Sequence, residues 1–204
     1  MKLTTFALYL IFSVSCAQPQ IEPKSNAQTN APIAQSELEK EAANLSKLYE
    51  DRNCEEFINI FPNTFENFDK LYGYEDGKGA HILYSKYDEH LNYFAQCSDV
   101  SNRKKLNKVI KLGINGKWEA DASSSLQEIA KTLIKKQPEE AKTVLDKLSN
   151  ENAASFWYFL FDGPHPNNYK SAVKSFSELL GKQSKQSKLL LEQFQKVQKD
   201  WEEH

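Results

Sequence analysis

Glycine and proline are scarce: seven of each occur in 204 residues. That shortage disfavours a β fold dense in tight turns. Valine is sparse too, and runs alternating apolar with polar residues are absent, so at most a short β segment is expected within Ile114–Ala120. A Gly-rich phosphate loop, a Gly-x-Ser-x-Gly elbow and a Cys-x-x-Cys pair are all missing. Four histidines occur, His81, His90, His165 and His204, and no two have the i, i+4 spacing of a helical zinc site. His90, within Asp88-Glu89-His90, reads as part of a solvated helix surface. The sequence therefore predicts no metal, no cofactor and no catalytic set. A fixed 34-residue period is also lacking, which argues against a tetratricopeptide array.

What is present is a globular composition, 40% hydrophobic and 26% charged, with twelve Phe and nine Tyr for a ring-rich core. The net charge of −2 conceals an asymmetry. Ser36 to Asp99 carries six Lys/Arg against fourteen Asp/Glu, whereas Val100 to His204 carries eighteen against thirteen. Such a chain builds either two complementary surfaces within one domain or separate faces for oppositely charged partners.

From Ser36 onward the apolar residues recur with the helical period. Ser36 with Glu39, Asn53 with Glu56, Asn63 with Glu66, and Ser125 with Glu128 have the spacing of capping boxes. Gly73–Gly79 reads as a loop, Ala80–Gln96 and Ser101–Leu112 as helices, and Gly113 as the left-handed residue ending the second of these. Pro138 opens a further helix. Ala153–Phe161 is apolar nearly all round, which places it centrally. The expectation is an all-α domain over 36–204 with about nine helices, either an irregular multi-helix bundle or an α-solenoid-like helical array.

The N-terminus carries an address. Met1-Lys2 is followed by the apolar run Leu3–Phe12, far short of the about 20 residues needed to span a bilayer core. This is the form of a secretory signal peptide, 1–15. The ending Ser13-Val14-Ser15-Cys16 resembles the lipobox of bacterial lipoproteins, with Ser13 where Leu is usual. The resemblance covers the first sixteen residues. It implies lipid on Cys16 and, with Ala17 rather than Asp following, an outer-membrane location facing the periplasm. Ordinary cleavage after Ala17, giving a soluble periplasmic or secreted protein, is the rival reading. Residues 16–35, with three Pro and four Gln, read as a flexible tether. With Cys16 lipidated or removed, Cys54 and Cys97 remain as a pair for a disulfide in an oxidising envelope.

Two features stand out as candidate binding elements. Asp162-Gly163-Pro164-His165-Pro166 presents a histidine on a restrained backbone, so Asp162, Pro164 and His165 are candidates. Lys104, Lys108 and Lys111 form a basic stripe, and Lys182, Lys185 and Lys188 a second basic patch. Phe156-Trp157-Tyr158-Phe159 reads as core, or as the lining of a lipid or peptide pocket. The leading expectation is an envelope protein-binding module, an adaptor or an inhibitor of immunity type, held at the membrane by lipid and free of nucleic acid. Alternatives are a carrier of lipid or another hydrophobic ligand, and an envelope hydrolase using His165 or His90 with a carboxylate as acid and base.

Overall fold

The computed structural model describes residues 31–119 and 121–203, with side-chain surroundings from Ser36 on. Cys16, the signal-peptide segment and the tether as far as residue 30 lie outside the described residues. Among the described residues there are ten α-helices: α1 Ala31–Glu50, α2 Cys54–Ile60, α3 Phe65–Tyr72, α4 Tyr87–Gln96, α5 Asn102–Gly113, α6 Asp121–Lys136, α7 Pro138–Asp146, α8 Asn150–Phe161, α9 Lys170–Leu179 and α10 Lys185–Glu202. A small antiparallel hairpin, β1 Tyr74–Glu75 and β2 Gly79–Ala80, interrupts them, as do 3-10 turns at Tyr84–Lys86 and Pro166–Tyr169.

Side-chain caps fix where the helices begin. Asn53, Thr64, Ser101, Ser149 and Ser184 each accept a hydrogen bond from the backbone N–H three residues on, satisfying a donor that the first helical turn leaves orphaned. Pro138 sits in the first turn of α7, where its missing N–H costs nothing.

Most helices pack on the next helix but one. The principal contacts are α1 with α2 and α3, α2 with α4, α3 with α5, α4 with α6, and α5 with α6, α7 and α8. The chain thus builds in solenoid-like layers until α10 folds back across α7, α8 and α9 and closes the stack. One continuous core runs from Ala42 to Phe194. The central position expected of Ala153–Phe161 is observed: Phe156, Trp157, Phe159, Leu160 and Phe161 of α8 are all fully enclosed. Each such large side chain contributes roughly 1.5–3 kcal/mol on burial.

Helix α5 closes two helix ends with its lysines. Lys105 donates through Nζ to the carbonyls of Ala95 (3.0 Å) and Cys97 (2.9 Å), at the end of α4. Lys108 donates to the carbonyls of Asn59 (3.1 Å) and Phe61 (2.6 Å) and to Asn63 Oδ1 (2.8 Å), at the end of α2. A cation against orphan carbonyls also meets the negative end of the helix dipole. The same two helices are joined covalently: Cys54 opens α2 and Cys97 follows α4, and the two are disulfide-bonded with their Cα atoms 5.8 Å apart.

Several local expectations are corrected. Helix α1 starts at Ala31, so Ser36 lies inside it and five residues assigned to the tether are helical. Proline is acceptable in a first turn, so Pro32 gives no stop. The stretch Ala80–Gln96 is not one helix. Its first part is tied to α3 instead, His81 N donating to Gly73 O (3.0 Å) and Leu83 N to Leu71 O (2.8 Å). Helix α6 begins at Asp121 rather than Ser125, and no strand forms over residues 114–119. Gly113 is not left-handed; Asn115 is, with φ 58°. Gly113 is needed for room, since a Cβ there would meet the ring of Phe156 at 2.6 Å.

Replacing both Cys54 and Cys97 by Ala frees a cross-link spanning 43 residues. The chain-entropy relation assigns about 4 kcal/mol to a loop of that size. At the usual scaling this lowers Tm by roughly 8–16 °C. Calorimetry of the oxidised protein against the variant checks this, and an unchanged Tm would mean that the lysine caps alone hold α2 and α4.

Candidate acidic and aromatic cleft

A polar concavity lies where α3, the hairpin and the α5–α6 link meet. It encloses about 670 Å³, and its walls include Asp69, His81, Tyr84, Lys117, Trp118 and Glu119. Glu75 and Asp76 of the hairpin rim it.

Asp69 belongs to the last turn of α3, and its carbonyl accepts the N–H of Gly73 (2.7 Å). A Cβ on Gly73 would collide with the Asp69 carboxylate, so only glycine lets that carboxylate lie over the helix end. His81 follows β2 and donates through Nδ1 to the Asp69 carbonyl (2.5 Å). A carbonyl can only accept, so Nδ1 carries a proton and Nε2 takes no part in this bond.

The opposite wall is the link after α5. Asn115 N donates to Ser155 Oγ (2.6 Å) and Trp118 N to Asp162 Oδ2 (2.7 Å). Trp118 Nε1 donates to Ser124 Oγ (2.9 Å), and the indole lies over Gly163. These bonds hold Lys117, Trp118 and Glu119 at the cleft although they belong to no regular element. The Lys117 ammonium pairs with Glu119, which keeps that ammonium protonated above its usual range. Glu119 shares the cleft wall with Asp69. Burial, and then this carboxyl neighbour, push Asp69 up to about 6, while His81 and Lys117 pull the other way. A carboxyl beside another carboxyl ionises at greater cost, which is the sense of the Asp69 shift. Asp69 and Lys117 also line a second cavity of about 610 Å³ beside Thr64, Lys111 and Asn115. A third, more apolar groove of about 500 Å³ runs between α4 and α6, beside Leu91, Ala95, Ile129 and Leu133.

The residues expected to bind from sequence are dispersed. Asp162 faces inward as the acceptor for Trp118 N, and burial raises it against the lowering effect of two backbone N–H groups. Pro164 is half-buried, and His165 is exposed in the left-handed region (φ 56°) with its ring against Trp201 at 5.8 Å. The lysine stripe is split: Lys108 is committed to the end of α2, Lys104 pairs with Glu55 (3.5 Å), and Lys111 is exposed. Lys182 pairs with Glu178 (3.3 Å), while Lys185 and Lys188 are exposed. Phe156, Trp157 and Phe159 are core, and Tyr158 is half-buried with its hydroxyl on Asp200 (3.0 Å). His90 is not on a solvated surface. It is 1% exposed, packed by Tyr49, Phe57 and Tyr72, and bonded through Nδ1 to the Tyr72 hydroxyl (2.8 Å).

Asp69, His81, Lys117 and Glu119 were not among the candidates from sequence. The available signal was a charged and aromatic triplet, Lys117-Trp118-Glu119, in a stretch without helical period. Among the described residues no group of three or more His, Cys, Asp or Glu is arranged to hold a metal ion. No protein-family model matches the chain, and comparisons with curated proteins and with solved structures give no match.

Two pH dependences follow. A carboxyl raised by folding contributes stability in acid that is lost as pH rises through its folded value, about 6 for Asp69. The neutral Asp69→Asn variant is therefore expected to have the higher Tm at about pH 8, with the gap closing by about pH 4. A Tm difference that does not vary with pH would mean that Asp69 takes up no extra proton on folding. His90 runs the opposite way: burial pushes it down to about 4, so its contribution is complete above about pH 6.5 and is lost as pH falls. The loss amounts to about 3 kcal/mol by pH 4. Urea melts of His90→Gln, which keeps a hydrogen-bond partner for Tyr72, are expected to show a shallower decline over that range than the parent.

Proposed function

We propose that this chain is an exported protein, held at a bacterial membrane by lipid on Cys16, whose helical domain binds a protein partner through the face formed by α3, the hairpin and the α5–α6 link. The observation that carries the reading is the cleft itself. Carboxylates and aromatic rings converge there, and beside it Tyr74 (49% exposed) and Ile82 (50% exposed) stand out from the hairpin region. Exposed aromatic and apolar anchors around a polar concavity are what protein interfaces concentrate. The signal-like start and the lipobox resemblance support placement in the envelope, with the outer membrane favoured by Ala17. The Cys54–Cys97 disulfide fits an oxidising compartment. Among the described residues no helix is long and apolar enough to cross a membrane, so attachment on this reading falls to the lipid.

A second reading, an envelope hydrolase, is favoured by one observation: Asp69, Glu119 and His81 converge on one cleft, and His81 keeps Nε2 available. It requires turnover of a chromogenic ester, phosphoester or glycoside by the intact protein and not by His81→Gln.

The binding reading is tested on the full chain in a bacterial envelope. A photo-cross-linking residue replacing Ile82 is expected to yield a defined protein adduct, whereas the same residue replacing Leu179, an exposed position outside the face, yields none. Cys16→Ser is expected to abolish fatty-acid labelling and move the protein from the membrane to the soluble fraction. Equal cross-linking at both positions, or an unlabelled protein retaining Met1, overturns the corresponding half of the reading.

A further inference from the structure

We propose that the exposed side of the α9–α10 pair docks on an anionic lipid surface, with Lys170, Lys174 and Lys188 against the headgroups around Leu191. The inference takes its setting, a protein held at a bacterial membrane, from the reading above, and concerns residues outside the cleft.

Charge complementarity gives the first argument. From Gly163 to Leu191 the chain carries five lysines, Lys170, Lys174, Lys182, Lys185 and Lys188, against a single acid, Glu178. That stretch has a net charge of +4 in a chain whose total is −2. Elsewhere, helical lysines are met by a carboxylate one turn away, as Lys70 is by Glu66 and Lys86 by Glu89 (3.1 Å). In this stretch Lys182 is met by Glu178 (3.3 Å). Among the described residues, Lys170, Lys174, Lys185 and Lys188 form no ion pair, and Glu192, which borders them on α10, forms none either. All four lysines are exposed.

Geometry gives the second. Ser177 Oγ and Ser187 Oγ are hydrogen-bonded (2.6 Å), which marks the line along which α9 and α10 touch. Lys174 lies three residues before Ser177, and Leu191 four after Ser187. In this antiparallel pair both therefore stand one turn along from that contact, on the sides that the helices turn to each other. Lys170 follows one turn further along α9, and Lys188 is the neighbour of Leu191 three residues back on α10. Leu191 is 40% exposed, although Ser187 and Phe194 on the same stripe are buried. The lysines thus surround an open apolar side chain. Lysine stems cover apolar area while their ammonium groups reach phosphates, and the leucine enters the boundary between headgroups and acyl chains.

The same composition favours lipid over an acidic protein. Protein interfaces concentrate aromatic residues and Arg and are depleted in Lys, whereas this face offers one aliphatic anchor and long, flexible lysines. An anionic bilayer asks no fixed geometry of its cations. Each lysine near such a surface strengthens attachment about fivefold.

A photo-cross-linking residue replacing Leu191 in the full chain tests the proposal. On vesicles of phosphatidylcholine and phosphatidylglycerol in equal parts it is expected to form a lipid adduct, and several-fold less on phosphatidylcholine alone. The adduct is expected to fall between about 0.1 M and about 1 M salt, as the screening length shrinks from about 10 Å to about 3 Å. Lys174→Gln and Lys188→Gln are each expected to cut it about fivefold. Lys40→Gln, which removes an exposed lysine of α1, is expected to leave it unchanged. Circular dichroism establishes that each variant is folded. Equal adducts on the two kinds of vesicle, or an equal loss in Lys40→Gln, overturns the proposal. In a bacterial envelope the same residue is expected to label phospholipid; a defined protein adduct in its place overturns the proposal and assigns the face to an acidic protein. If fatty-acid labelling at Cys16 fails while the adduct keeps its dependence on phosphatidylglycerol, the docking face stands and the anchor falls. Labelling without the adduct means the reverse.

Discussion

The cleft depends on one hydrogen bond, from the backbone N–H of Trp118 to the carboxylate of Asp162. The link between α5 and α6 has no ladder of its own, so its N–H groups must find partners elsewhere. Asp162 supplies one from the turn after α8, the most enclosed helix of the fold. Its own carbonyl is tied down by Gln127 Nε2 (2.8 Å), which also reaches Phe159 O (2.6 Å). Gly163 leaves space for the indole, and Gly116 lets the link approach Phe159 and Phe65. A rigid core thus extends outward through Asp162 to hold Lys117 and Glu119 opposite Asp69. A site placed on irregular backbone keeps its shape only when such supports exist.

The helical class, the central α8 and the bonded cysteines were legible because each rests on a strong local or combinatorial signal. Capping residues at Asn53 and Ser101 mark their helices correctly, and at Asn63 the error is a single residue, Thr64 being the cap in use. The failures share a cause. Ala80–Gln96 has helical spacing, but backbone bonds from His81 and Leu83 to the end of α3 hold its first residues outside the helix. Gly113 has the right place for a C-cap, yet the facing rings of α8 decide its role. His90 sits in an acidic run that looks solvated, but Tyr49, Phe57 and Tyr72 close over it from three other helices. Long-range packing overrode the local pattern each time.

The site was less legible than the fold for a related reason. Its residues lie far apart in the chain, Asp69 and His81 on one side and Lys117 and Glu119 on the other. Nothing in their local sequence says that the two loops meet. The Asp162–Pro166 loop did attract notice, and its significance changes once the contacts are known. Asp162 is a support for the cleft, while His165, two prolines notwithstanding, is occupied with Trp201.

The division of charge along the chain now has a structural account. The basic second half turns part of its cation supply inward onto the acidic first half: Lys108 onto the end of α2, Lys105 onto the end of α4, Lys104 onto Glu55. The contacts of Lys108 and Lys105 are spent on the C-terminal ends of helices, where a cation gains both hydrogen bonds and the dipole. Around the hairpin the carboxylates are met locally instead, Glu75 by Lys78 (2.7 Å) and Glu119 by Lys117, with His81 beside Asp69. The asymmetry is therefore resolved in two ways: at the ends of α2 and α4 by lysines of α5, and at the cleft by short-range pairs, Lys78 with Glu75 and Lys117 with Glu119.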